Sequence, residues 1–118
     1  KYKKRVKICI DTCHIFSTGN DICNHHKTII SNINKYIGWE NIIIIHLNDS
    51  STVLNSRVDR HQNLNKGFIT EKGKKSTGLE EFTKYCYNKN LPIILETPNK
   101  TANSRKNDIQ IMKEWCNI

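Results

Sequence analysis

The hexapeptide IIIIHL at residues 42–47 is apolar at every position except His46. A short run so rich in β-branched isoleucine predicts a strand that is buried on both faces, as strands are in parallel sheets. Two further runs have the same character, VKICI at 6–10 and LPIILE at 91–96. The sequence therefore predicts three strands at the centre of a domain.

Segments with helical periodicity separate and follow these strands. Their apolar positions are mostly three or four residues apart, as in helices that bury one face. The segments are 21–37, with Ile22, Ile29, Ile30, Ile33 and Ile37; 78–86, with Leu79, Phe82 and Cys86; and 108 onward, with Ile109, Met112, Trp115 and Cys116. The alternation of strand and helix predicts an α/β fold with parallel strands and right-handed crossovers. Since no linker divides residues 1–118, we expect one domain.

Residues 48–77 interrupt this pattern. They are rich in Ser, Asn, Gly and charged residues and show no apolar periodicity. A loop of this length in a small domain is usually functional or disordered. In folds with parallel strands, chemistry collects at the rim formed by the carboxyl ends of the strands. We therefore expect this loop, which follows the second strand, to contribute to the rim.

The formal charge of +8 is unevenly distributed. Five basic residues lie in KYKKRVK at 1–7, and six Lys or Arg meet two acidic residues between Ser50 and Lys75. The second concentration suits a polyanionic partner such as nucleic acid. The alternative is a solvated surface, and charge alone does not separate the two.

The cysteines at 9, 13, 23, 86 and 116 form no CxxC pair. Most lie within apolar or helical patterns, which predicts reduced thiols and an intracellular protein. We expect no membrane span and no signal peptide, because no apolar run is long enough for either. The chain begins without Met inside a predicted strand, so we expect a piece of a longer protein.

Each of the three apolar runs ends at a residue that can bind a metal ion. These residues, called here the strand-end set, are Asp11, His46 and Glu96. One polar residue at the end of a strand often only caps a turn or reaches solvent. Three in register on parallel strands converge on one rim, and all are of the types that hard or borderline divalent metals select. We therefore favour a metal site.

A second group, called here the His-Asp-His set, consists of His14, Asp59 and His61. His14 follows Asp11 where the chain leaves the first strand for a predicted loop. Asp59 and His61 point the same way if the long loop is locally extended. Three such ligands leave a coordination position open for water or substrate. The alternative is that VDRH at 58–61 is a surface turn with a local ion pair.

Several segments together resemble the endonuclease IV family of apurinic/apyrimidinic DNA endonucleases. They are CIDTCH at 9–14, HLND at 46–49, SRVDRH at 56–61 with NLNKGFI at 63–69, and IILET at 93–97. The resemblance covers almost the whole chain in family-like order and spacing. It implies a (β/α)8 TIM barrel with three zinc ions at its carboxyl rim, which hydrolyses the phosphodiester on the 5′ side of an abasic site in base excision repair.

The resemblance implies that this chain holds the last three β/α units, the C-terminal part of such a barrel. The strand-end set then provides ligands of one zinc ion, and the His-Asp-His set is the complete protein ligand set of another. The remaining ligands of the family, two histidines and a bridging glutamate, would come from earlier strands. We therefore expect the fragment to be inactive alone and to fold poorly, because its sheet has two open edges.

The resemblance also implies a mechanism and a partner. Zinc-bound hydroxide would attack the phosphorus, so no side-chain nucleophile is needed and Cys13 is interpreted as a packing residue. Arg57, Arg60 and Lys66 are expected to contact the phosphates of double-stranded DNA, and KGKK at 72–75 extends that surface. We expect a monomer when complete, acting in the nucleus, the cytoplasm or a DNA-containing organelle.

Two alternatives remain open. A sugar isomerase or epimerase with the same barrel would also place Asp, His and Glu at strand ends around metal ions. A neutral sugar, however, gives no reason for a second His-Asp-His set flanked by arginines. The other alternative is a truncated, non-catalytic module that binds metal or nucleic acid.

Overall fold

The computed structural model describes residues 5–71 and 78–118. In chain order the elements are β1 Ile8–Asp11, α1 Thr12–Ser17, α2 Ile22–Tyr36, a 3-10 turn Trp39–Asn41, β2 Ile42–Leu47, β3 Asp49–Ser50, β4 His61–Gln62, α3 Gly78–Asn88, β5 Ile93–Leu95 and α4 Ser104–Trp115. KGKK at 72–75 and the first four residues of KYKKRVK lie outside the described residues.

The central sheet contains β1, β2 and β5 in that order, all parallel. The prediction of an α/β fold with three parallel strands is confirmed, and β2 has its predicted bounds. β1 begins at Ile8 instead of Val6, and β5 is shorter than LPIILE. Within the described residues, β1 and β5 form the two edges of this sheet.

The predicted helices are present, with two differences. The chain after β1 is not a loop but the helix α1, which Asp11 caps with its side chain. α4 begins at Ser104, and its buried face differs from the predicted one: Ile109 is 44% exposed and Asp108 is 1% exposed. Asp108 is stable in the interior because its carboxylate accepts several hydrogen bonds.

The core lies between the sheet and the helices. Its buried apolar side chains include Ile10, Phe16, Ile22, Ile29, Ile33, Trp39, Ile42, Ile45, Leu47, Leu79, Phe82 and Trp115. Trp39 contacts the rings of Phe82 and Tyr85, with centroids 6.4 and 5.1 Å apart. Across residues 5–71 and 78–118, no helix has both the length and the apolar content needed to cross a bilayer.

The long connection after β2 is ordered in its described part. β3 pairs antiparallel with β4, and Leu64 and Ile69 are fully buried in the core. Sequence periodicity missed these two residues because the few apolar positions of this polar segment follow neither a helical nor an alternating spacing. Tertiary contacts, not local pattern, therefore determine the path of this connection.

The buried carboxylate of Asp49 holds residues 67–70 in place. It accepts hydrogen bonds from the backbone N–H of Gly67 at 3.1 Å and of Ile69 at 3.0 Å, and from the Thr70 hydroxyl. Burial raises the pKa of Asp49, and these donors oppose that shift. Gly67 is required for this approach, since a Cβ there would lie 2.4 Å from the Ser50 carbonyl oxygen and 2.5 Å from Asp49 Oδ1.

We predict that Gly67→Ala lowers the free energy of unfolding by about 1–3 kcal/mol, because the added methyl group forces backbone and carboxylate apart. Urea denaturation of the complete protein measures this change. The matched control is Asn65→Gly two residues away, at a left-handed φ of +64° that glycine adopts freely. The control should change stability by less than about 1 kcal/mol. Equal stability of Gly67→Ala and the native protein would contradict the packing described.

Candidate metal centre

The strand-end set converges at the carboxyl rim of the sheet. Asp11 and His46 are paired residues of β1 and β2, and Glu96 directly follows β5. His46 Nδ1 lies 2.9 Å from Glu96 Oε2 and 3.8 Å from Asp11 Oδ2. One ligand atom from each residue lies within 4.8 Å of the other two. The three side chains can therefore reach a common ion, as the predicted parallel sheet required.

Asp11 connects the strand to α1. Its Oδ1 accepts hydrogen bonds from the backbone N–H of Cys13 at 2.8 Å and of His14 at 3.2 Å. Because the cap starts the helix at once, His14 lies in the first helical turn, with Nδ1 3.2 Å from Asp11 Oδ1. An Asp before a short segment is a recognised start signal for a helix. That signal is present in the sequence, although six residues are too few for periodicity.

The connection after β2 brings Asp59 and His61 to the same rim. The Asp59 carboxylate lies between two imidazole rings, with Oδ2 3.3 Å from His14 Nε2 and Oδ1 3.3 Å from His61 Nε2. His61 Nε2 is also 3.6 Å from Asp11 Oδ2. The pairing of β4 with β3 fixes this approach, since His61 is opposite Ser50.

The candidate ligand atoms fall into overlapping groups that do not coincide with the two sets. Ligand atoms of Asp11, His14 and His61 lie within 4.8 Å of one another, and so do those of Cys13, Asp59 and His61. Asp11 therefore stands between the strand-end set and the histidines of the His-Asp-His set. The assignment of each residue to a particular ion stays a prediction.

The ring of His61 carries the clearest sign of a missing partner. Its Nδ1 lies 3.2 Å from the carbonyl oxygen of Glu96, which can only accept, so we assign the proton to Nδ1. Nε2 then presents a lone pair, and it is buried without a hydrogen-bond partner within the described chain. This lone pair faces the Asp11 and Asp59 carboxylates. A divalent cation bound by Nε2 together with one of these carboxylates would satisfy the lone pair, so the residues fit a metal ion.

The charges of the rim favour a cation despite the basic composition of the chain. Burial alone would lower the pKa of His14, but the hydrogen bond and charge of Asp11, with the charges of Asp59 and Glu96, raise it above its ordinary value. The acidic field that favours a proton on His14 would equally favour a metal ion.

Cys13 lies beside this centre but differs from it chemically. Its side chain is fully buried, and its thiol donates to the Arg60 carbonyl oxygen at 3.6 Å. Burial raises the pKa of the Cys13 thiol to about 11. A thiol that remains protonated at neutral pH is a poor nucleophile and a poor ligand. These features support its interpretation as a packing residue.

The predicted DNA-contacting residues Arg57, Arg60 and Lys66 are all exposed. Arg57 adopts a left-handed φ of +61°, its backbone N–H donates to Ser17 O at 2.9 Å, and its Nε donates to Asn55 Oδ1 at 3.0 Å. The two arginines flank Asp59 in the chain, so their guanidinium groups are attached to the segment that reaches the rim.

Sequence reasoning missed Asn48, which is fully buried beside the candidate ligands. Its amide donates to Asp11 Oδ2 at 3.1 Å, and its carbonyl oxygen accepts from the backbone N–H of Glu96 at 3.0 Å. The segment HLND contains this residue, but an asparagine after a strand is also an ordinary turn residue. No local pattern distinguishes the two.

Comparisons with known proteins agree with this geometry. Residues 1–116 match the family described as xylose isomerase-like TIM barrel. The chain is 42% identical over 120 residues to "Probable endonuclease 4" of Thermosipho melanesiensis, covering 100% of this chain and 39% of that protein. It is 36% identical over 122 residues to "Apurinic-apyrimidinic endonuclease 1" of Plasmodium berghei, covering 97% of this chain and 22% of that protein.

A solved structure extends the likeness to three dimensions. Endonuclease IV from Thermus thermophilus superposes with a TM-score of 0.81 at 29% identity, covering 94% of this chain and 39% of that one. The chain thus spans well under half the length of the curated relatives that it matches. The family match and the parallel sheet together confirm the resemblance, and the chain belongs to the xylose isomerase-like TIM barrel family, on its endonuclease IV branch.

Proposed function

We propose that this chain provides part of the active site of a zinc-dependent DNA endonuclease, which hydrolyses the phosphodiester on the 5′ side of an abasic site. The observation that carries the proposal is the buried Nε2 of His61, which has no hydrogen-bond partner among residues 5–71 and 78–118 and faces the carboxylates of Asp11 and Asp59. The names of the relatives, endonuclease 4 and apurinic-apyrimidinic endonuclease, support the reaction and the substrate.

We assign the strand-end set to one zinc ion and the His-Asp-His set to another. Imidazole nitrogen and carboxylate oxygen are ligands that zinc accepts, and the contacts of 2.9 to 3.8 Å within the two sets support the assignment. The relatives are much longer than this chain. We therefore infer that the remaining ligands come from elsewhere in the protein and that the fragment is inactive alone. The order of the segments that resemble the endonuclease IV family supports the C-terminal part of the barrel as the place of these residues.

The chemistry of the proposed reaction divides between metal and protein. When bound, zinc would supply a water molecule with a pKa lowered to about 7 and would offset negative charge on the phosphate. The residues of this chain would hold the metal in a fixed geometry, and the backbone carbonyl of Glu96 would keep the proton of His61 on Nδ1. The protonated thiol of Cys13 takes no part in bond cleavage.

Double-stranded DNA containing an abasic site is the proposed partner. Arg57, Arg60 and Lys66 are exposed cations within ten residues of each other, on the connection that carries Asp59 and His61. Their proposed role is to bind phosphates and so position the duplex without reading its sequence. We propose a monomer acting in an intracellular compartment that contains DNA.

A sugar isomerase or epimerase is the competing function, since the matched family is described as xylose isomerase-like. The strand-end set alone would suit either reaction. The arginines attached to the His-Asp-His set favour a phosphate-containing substrate over a neutral sugar. The names of the relatives quoted above support the same choice.

We predict that Asp59→Ala and His61→Ala each lower incision of a duplex with one abasic site by at least about a hundredfold, because each removes a proposed zinc ligand. The zinc content of the purified complete protein should fall in both variants. Incision is measured by gel electrophoresis of a labelled strand, and zinc by elemental analysis.

The control for these variants is His25→Ala, which removes an exposed histidine from α2. It should leave both incision and zinc content unchanged. Native incision and zinc content in Asp59→Ala and His61→Ala would defeat the assignment of the His-Asp-His set.

We predict that Cys13→Ala retains zinc content and most of the incision activity, because a thiol whose pKa is raised to about 11 is neither ligand nor nucleophile at neutral pH. The same two measurements test it. Loss of zinc from a variant that remains folded by circular dichroism would instead identify Cys13 as a ligand.

We predict that Arg60→Ala weakens binding to abasic and intact duplexes alike, since a phosphate contact carries no sequence information. The slope of log affinity against log salt concentration should become shallower by about 1. Fluorescence anisotropy over a salt series measures both quantities. Lys27→Ala, an exposed cation on α2, is the matched control and should leave the slope unchanged. An unchanged slope in Arg60→Ala would remove this residue from the proposed contact.

A further inference from the structure

The side chain of Asn48 joins the ends of two strands that are not neighbours in the sheet. Asn48 directly follows β2, and it contacts Asp11 at the end of β1 and Glu96 after β5. Its Nδ2 donates to Asp11 Oδ2 at 3.1 Å, while its Oδ1 accepts from Glu96 N–H at 3.0 Å. Because one contact needs a donor and the other an acceptor, the amide has only one orientation that satisfies both.

The backbone of Asn48 is fixed as firmly as its side chain. The hydroxyl of Thr12 donates to Asn48 O at 2.6 Å and accepts from Asn48 N–H at 2.9 Å. Both residues are fully buried. A buried network in which every member is satisfied is rigid and specifies one arrangement. Thr12 therefore holds the backbone of Asn48 through both its N–H and its carbonyl oxygen, independently of the contacts that Asn48 makes with candidate ligands.

This network determines which oxygen of Asp11 remains available. Oδ1 is used by the helix cap, where it accepts from Cys13 N–H and His14 N–H. Oδ2 accepts one hydrogen bond from Asn48 and lies 3.8 Å from His46 Nδ1 and 3.6 Å from His61 Nε2. The amide of Asn48 thus directs the remaining lone pair of Oδ2 toward the two imidazole rings.

We propose that Asn48 is a positioning residue that sets the geometry of Asp11 and Glu96 as ligands of a shared divalent metal ion. The proposal rests on the proposed function, which supplies the metal site. Asn48 contacts the side-chain carboxylate of Asp11 and the backbone N–H of Glu96. Asn48 therefore fixes the positions of Asp11 and Glu96 relative to the end of β2, the strand that lies between β1 and β5.

The neighbouring Asp49 shows the contrast with a purely structural group. It is also fully buried, but the hydrogen bonds of its carboxylate go to Ser50, Gly67, Ile69 and Thr70. None of those four belongs to the strand-end set or the His-Asp-His set. Asn48 thus contacts candidate ligands, whereas Asp49 contacts only residues outside both sets. Substitution of each residue therefore distinguishes a positioning role from a purely structural one.

The test is the affinity of the complete protein for Zn²⁺, measured by competition with a chromophoric chelator. Asn48→Leu has a similar volume but neither donor nor acceptor, so both contacts to the ligands are lost. We expect its zinc affinity to fall by about 10–100-fold, the usual effect of removing a group that orients a metal ligand. Asn48→Ser, which is too short to bridge both partners, provides a second variant and should also bind zinc more weakly.

The matched control is Asp49→Asn, which weakens a buried hydrogen-bonded carboxylate without touching a candidate ligand. We expect a lower midpoint of thermal unfolding but native zinc affinity at a temperature where the variant is folded by circular dichroism. Loss of affinity in both Asn48→Leu and Asn48→Ser with retention in Asp49→Asn supports the positioning role.

Two results would overturn the proposal. One is native zinc affinity in a folded Asn48 variant, and the other is an equal loss of affinity in Asp49→Asn, which would identify general destabilisation as the cause. Absence of zinc binding by the native protein is a different failure, because it refutes the proposed metal site and the role of Asn48 falls with it. Incision of abasic DNA is assayed separately, so a native protein that binds zinc but does not incise would fail the proposed function alone.

Discussion

Both oxygens of the Asp11 carboxylate are engaged at once, Oδ1 in the cap of α1 and Oδ2 in a hydrogen bond from Asn48. A carboxylate this deeply buried is stable only when donors replace its hydration. The chain must therefore turn from β1 into α1 without an intervening loop, which puts His14 beside Asp11. The end of β2 must also lie close enough for Asn48 to donate. The positions of the rim residues therefore follow from the need to supply hydrogen-bond donors to the Asp11 carboxylate.

Two further buried carboxylates organise the connection after β2 in the same way. Asp49 receives donors from residues 67–70, and Asp108 of α4 receives the backbone N–H of Leu64 at 3.0 Å and the Asn63 amide at 2.7 Å. Polar residues in this segment cannot order themselves by apolar burial alone. Hydrogen bonds to charged acceptors are stronger than neutral ones, so a few of them replace the missing apolar contacts. The residues that follow His61 are anchored in this way.

The sequence was informative where local pattern and sheet geometry agree. The runs that form β1, β2 and β5 are apolar, and parallel pairing necessarily brings the residues at their carboxyl ends together. Asp11, His46 and Glu96 could therefore be predicted to meet. The grouping of Asp59 and His61 with His14 was a hypothesis from a locally extended loop, with a surface turn as the alternative, and the family resemblance implied the same set. In the structure Asp59 lies 3.3 Å from each of the two imidazole rings.

The features that escaped prediction depend on residues far apart in the chain. α1 has only six residues, too few for a periodic signal, and the burial of Asp108 depends on partners 11 to 45 positions away. Asn48 meets Asp11 across 37 positions and Glu96 across 48. One sequence records which residue types are available for such contacts, but not which pairs are made. Ile109 was placed on the buried face of α4 for the same reason, since the pattern could not show that a charged residue occupies it.

The position of Asp108 in the chain also sets an order of assembly. It follows all the candidate ligands in sequence, and it accepts hydrogen bonds from Asn63 beside β4 and from Thr97 next to Glu96. During synthesis the candidate ligands leave the ribosome first, and α4, which binds the residues next to two of them, follows afterwards. Asn63 and Thr97 form these hydrogen bonds only once α4 has docked. The surroundings of the candidate metal centre thus depend on the docking of a helix that provides none of the proposed ligands.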